Sequence, residues 1–143
     1  MKLFIFMIFS TLAYSSGNHS AGQKEVELKP WSAVTQFNEL DGFQLSEKAQ
    51  KNLNVKFMQL KGKGPWKIPS SALLKIKHSH AVFRKWNGWI TMILVKIIEK
   101  DPHYYKIKSV DLQQGDDIAI SGVPFLRMTE ADLHSDTVDS CSH

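Results

Sequence analysis

Residues 68–76 read IPSSALLKI, residues 80–97 read HAVFRKWNGWITMILVKI and residues 107–126 read IKSVDLQQGDDIAISGVPFL; this run decides the fold. Asn87-Gly88 sits between two apolar segments, Ala81 to Trp86 and Trp89 to Glu99. That dipeptide predicts a two-residue hairpin, because a type I′ turn needs positive φ at both central positions. From Trp89 to Ile98 nearly every position is apolar, a pattern that periodicity alone does not separate from a helix. The β-branched content and the preceding turn favour a strand buried on both faces. Asp101-Pro102 ends it, Tyr104 to Val110 supplies the next strand, and Gly115-Asp116 turns the chain into Ile118 to Ile120. Before the hairpin, Ser71 to Lys77 alternates Leu and Ile with Lys as a strand does. After Pro124, Phe125 to Leu133 reads as a short helix.

Upstream, Phe43-Gln44-Leu45 alternates as a short strand. Ser46, followed by Glu47 and Lys48, can cap a helical turn that Asn52 closes. Val55 to Leu60 is a further strand, and Lys61-Gly62-Lys63-Gly64-Pro65 is a turn of ordinary length for a connection inside one domain. The expected fold is mainly β: a single small antiparallel domain over residues 41–133 with one or two short helical turns. Its expected core contains Leu45, Val55, Phe57, Leu73, Val82, Ile93, Val95, Ile107, Ile118 and Ile120. Residues 16–40 read as a partly disordered leader: residues 16–24 are polar and mobile, while in residues 25–40 Val26, Leu28, Trp31, Val34 and Phe37 keep no clean period and leave a strand or a packing arm open. Residues 134–143 read as a mobile polar tail.

Residues 1–15 carry the three parts of a secretory signal: Lys2, the apolar run Leu3 to Leu12, and Ala13-Tyr14-Ser15 as a small-x-small cleavage site. A spanning helix needs about 20 apolar residues, and this run falls well short. Export to the periplasm through a cleaved signal is therefore expected, with no transmembrane segment in the mature chain. Cys141 is the single cysteine, so the fold has no internal disulfide framework. The net charge of +4 is unremarkable and points to no class of partner.

Taken in order, Ile68, Pro69, Ala72, Val82, Phe83, Leu112, Gly115, Asp116, Ile118 and Gly122 resemble the membrane-proximal domain of periplasmic adaptor subunits. These subunits, also called membrane fusion proteins, serve resistance-nodulation-division efflux pumps. The strand, helical turn and strand over residues 43–60 resemble the N-terminal part of the same domain. A full adaptor inserts a β-barrel, a lipoyl-like domain and an α-helical hairpin between these flanks, where this chain has a short turn. The resemblance implies a non-catalytic exported accessory, or truncated adaptor-like component, of an efflux system for heavy metals. Its partner would be an inner-membrane efflux transporter or a full-length adaptor beside it.

Four groups of residues could carry function. His134, Asp136, Asp139, Cys141 and His143 are all possible ligands for Cu or Zn, although their spacing matches no established zinc pattern. The alternative function is accordingly a periplasmic Cu/Zn-binding protein that uses this tail. The resemblance adds weight, since adaptors of heavy-metal pumps often end in histidine-rich tails. His78-Ser79-His80 places two imidazoles two residues apart but supplies half a ligand set. Met58, Met92 and Met128 are better read as core filling than as a copper site. Arg84, Lys85, Trp86 and Trp89 gather basic and aromatic side chains at the hairpin tip. In a cytosolic protein that set would suit nucleic-acid stacking; export turns it toward a protein partner or a lipid interface, the alternative being plain cross-strand packing of Trp86 against Trp89. No GxSxG, HExxH or Cys-His-Asn pattern is present, so no enzyme is expected.

Overall fold

In a computed structural model, residues 32–138 are described, and the expected signal, most of the leader and residues 139–143 lie outside them. Asn87 and Gly88 both take positive φ, 48° and 87°, and the turn they make launches two long paired strands. These are β6 (Ser79–Trp86) and β7 (Trp89–Lys100), registered from His80 opposite Val95 to Trp86 opposite Trp89. Around them lie β1 (Val34–Asn38), β2 (Gly42–Leu45), β3 (Lys56–Gln59), β4 (Trp66–Pro69), β5 (Leu74–Ile76), β8 (Tyr104–Lys108) and β9 (Asp117–Ser121). All described pairings are antiparallel, in the order β1-β2-β7-β6-β9-β3, with β5 beside β6 and a β7-β8-β4 wing. The mainly β, single-domain expectation holds.

The central hairpin is buried on both faces. On one side Phe83 and Ile90 pack with Phe43, Leu45, Ala49, Val55, Val123, Leu126 and Leu133. On the other, Val82, Ile93 and Val95 pack with Leu60, Trp66, Ile68, Ala72, Ile107 and Ile118. Of the expected core residues, seven are buried, and Phe57, Leu73 and Ile120 pack half-buried against the clusters. The two-faced burial expected along the whole of β7 stops at its middle: Leu94 and Ile98 are 60% and 55% exposed.

Two helices complete the domain. Ser46 caps α1 (Glu47–Asn52), its Oγ accepting from Ala49 N at 3.1 Å. The left-handed residue that follows is Asn54 rather than Asn52. The second helix, α2 (Val123–Val138), is four turns long where a short one was expected. Pro124 lies in its first turn, where no intrahelical amide is required, so it opens the helix instead of preceding it.

Three further boundaries differ from expectation. Val34–Asn38, left open between a strand and an arm, is a strand of the sheet. The register slips between Val34 and Gln36, and this bulge breaks the alternation that reveals a strand in sequence. Residues 134–138, expected in a mobile tail, continue α2. The strand expected from Ser71 is confined to Leu74–Ile76, because a 3-10 turn over Ser70–Ala72 follows Pro69.

Candidate functional site

The hairpin tip is built by the turn itself. Trp86 and Trp89 are the last registered pair before Asn87-Gly88, which holds both indoles at the end of the sheet. Trp86 is 50% exposed and Trp89 half-buried. The two cations expected beside them look inward. Arg84 donates through Nη1 to the Asp111 carbonyl at 2.9 Å and lies 4.0 Å from the Asp116 carboxylate. Lys85 places its ammonium 4.4 Å from the Phe57 ring centroid. Arg84 and Lys85 therefore brace the base of the tip, and the surface offered outward is largely indole. Indole suits docking, because a flat apolar body with one N–H gains from being covered.

Beneath the tip is a buried polar node. Asp116 is fully buried; its Oδ2 accepts from Gln113 N at 2.9 Å, while its Oδ1 and Arg84 Nε have no hydrogen-bond partner. The backbone laces the same turn to the end of β3, with Leu60 N donating to Asp116 O at 2.8 Å and Gly115 N to Leu60 O at 2.9 Å. Asp116, read from sequence as an ordinary turn carboxylate, thus joins the Gly115 turn, β3 and the hairpin. Burial of a carboxylate beside an arginine 32 positions away in the chain is a tertiary fact with no local sequence signal.

Of the seven expected metal ligands, only His78, His80 and His134 have described side chains. His78 is exposed in the β5–β6 turn, and His80 is the second residue of β6, opposite Lys75. His134 lies on α2, with Nε2 3.4 Å from Glu130 Oε1 and its ring edge-on to Phe37. Asp136 follows on the last turn of α2, and Asp139, Cys141 and His143 lie outside the described residues. Among the described residues no three His, Cys, Asp or Glu side chains converge on a possible metal position. Glu130, which sequence reasoning overlooked, shares a helix face with His134 at i, i+4 and also pairs with Arg127. Met58 and Met92 pack on the two cores as expected, whereas Met128 is exposed.

Among the described residues no helix is long and apolar enough to cross a membrane. Comparison with protein-family models, with curated proteins and with solved structures gave no match.

Proposed function

We infer that the chain is a non-catalytic, exported binding module, an adaptor-like accessory of an efflux system that docks through its Trp86/Trp89 hairpin tip. The observation that carries this reading is a half-exposed tryptophan held on a rigid, doubly buried hairpin. Trp is among the residues that dominate binding energy when a partner covers them. A tip fixed by strand register and braced from below by Arg84 and Lys85 would lose little entropy on docking.

The resemblance supports the same reading at the level of fold. Its residues Ile68, Ala72, Val82, Phe83, Leu112, Asp116 and Ile118 are buried, so they bear on architecture first. The partner expected on that basis is an inner-membrane efflux transporter or a full-length adaptor.

The test is co-purification of the processed chain with the inner-membrane transporter expressed beside it. Trp86→Ala should reduce recovery at least tenfold, since a hot-spot truncation costs about 2 kcal/mol or more. The free energy of unfolding should change by less than about 1 kcal/mol, because the side chain is half solvated. Recovery unchanged by Trp86→Ala in a folded variant would sink the reading.

A further inference from the structure

The β4–β8–β7 wing carries an arrangement that the fold alone does not favour. Register places Lys67 directly opposite Lys106, and Lys96 directly opposite Lys108. Lys106 and Lys108 are two residues apart on β8, so both pairs point to one face. Like charges directly opposite one another destabilise a sheet, and here two such pairs lie side by side. Glu99 is the acid that answers them, 3.6 Å from Lys106 and hydrogen-bonded by the Tyr104 hydroxyl at 3.4 Å. The Lys67 ammonium rests 3.5 Å from the Tyr104 ring centroid. Among the described residues, no carboxylate lies within ion-pair distance of Lys96 or Lys108.

Apolar side chains accompany the lysines. Leu94 shares the Lys96 face of β7 and is 60% exposed. The Ser109 hydroxyl donates to the Leu94 carbonyl at 2.8 Å, which brings the neighbouring Val110, 93% exposed, to the same corner. Toward β2 this sheet face continues through Met92 and Ile90 into the core that α2 covers. The wing lies beyond that cover.

We propose that this lysine-leucine face of the wing docks on an anionic phospholipid surface. Its chemistry favours lipid over a folded acidic protein. All four cations on it are lysines, which protein interfaces deplete in favour of arginine and aromatic residues. A fluid layer of phosphate headgroups demands no bidentate geometry; it is met by point charges on flexible stems whose methylenes lie along the apolar boundary. Headgroups would also relieve the two like-charge pairs, while Leu94 and Val110 enter the acyl margin. No transporter or adaptor is needed for this binding, so it stands or falls separately from docking through Trp86.

The probe is sedimentation of the processed chain from residue 16, which contains every described residue, with vesicles of phosphatidylglycerol and phosphatidylcholine or of phosphatidylcholine alone. Binding should require phosphatidylglycerol and weaken as salt rises. The double variant Lys96→Gln/Lys108→Gln should bind roughly 25-fold more weakly, at about fivefold for each lysine near the surface. Leu94→Ser/Val110→Ser should weaken it several-fold at unchanged charge. Lys48→Gln/Lys51→Gln, on exposed positions of α1, should bind as the wild type does. The proposal is overturned if phosphatidylglycerol vesicles fail to sediment the chain at low salt, or if the α1 pair costs as much as the wing pair. Capture by immobilised polyglutamate that the wing pair abolishes, without vesicle binding, would make the face an acidic-protein site and overturn it equally.

Discussion

Asp116 is the only buried polar or charged residue among the described residues, and few contacts hold it. One backbone amide, Gln113 N, donates to it, and Arg84 stands 4.0 Å away, at the limit of an ion pair. A carboxylate removed from water needs such contacts, and here one oxygen has none from the protein. The residue is retained in a position where its neighbours depend on it, because Arg84 at the base of the hairpin would lose its counter-charge. Asp116→Ala should therefore destabilise the domain by about 2 kcal/mol, the scale of a lost hydrogen bond to a charged group. Asp116→Asn keeps an acceptor for Gln113 N and should recover at least half of that loss. Urea denaturation of the three proteins measures both. Equal midpoints for wild type and Asp116→Ala would show that the backbone bonds to Leu60 hold the turn unaided. At Gly122, φ is 72° and an added Cβ would stand 2.7 Å from Val55 Cγ2. Ser121-Gly122 is thus a fixed packing point where β9 hands over to α2.

At the scale of elements, α2 shows what a helix must bury to be placed. Val123, Leu126 and Leu133 face the core, while Phe125 and Met128 on the other side are 48% and 62% exposed. Leu126→Ala should cost about 2–4 kcal/mol by leaving a cavity, whereas Met128→Ala should stay within about 0.5 kcal/mol. Thermal unfolding monitored by circular dichroism separates the two, and a Met128 effect as large as that of Leu126 would mean that the helix is rotated. The central hairpin was legible because Asn87-Gly88 and a β-branched run act locally, within a few residues. The start of α2 was obscured by Pro124, which reads as a breaker until its place in the first turn is known. β1 was obscured by its bulge, since Val34 and Phe37 are three apart and fit no strand period. The aromatic tip was legible as composition, yet the inward turn of Arg84 and Lys85 was not. Their partners, Asp111, Asp116 and Phe57, come from β3 and from the turns around β9, and only tertiary pairing brings them near. The lysine face was illegible for the same reason: Lys67, Lys96, Lys106 and Lys108 meet only through strand register.

The whole molecule is one sheet holding a separate core on each face, and β6–β7 is common to both. Phe83 belongs to the core under α2 and its neighbour Val82 to the core against β4 and β8. The same strand, β7, starts at the tryptophan tip and ends in the lysine wing, with a rise of about 3.3 Å per residue separating them. From Trp89 to Lys96 that is roughly 23 Å, enough for the two surfaces to engage different partners at once. Such an arrangement transmits position only if the two cores fold as a unit. Phe83→Ala, in the first core, and Ile107→Ala, in the second, should each lower stability by about 3–4 kcal/mol. In either variant, tryptophan fluorescence, which includes Trp66 in the second core, should report the same urea midpoint as far-ultraviolet circular dichroism. A shared sheet makes this the expected outcome, because losing either core strips one face of the hairpin that the other core packs on. Midpoints that separate in Phe83→Ala, with fluorescence lagging behind dichroism, would instead mean that the β4–β8–β7 wing is stable without the helical side, and that the tip and the wing are mechanically independent.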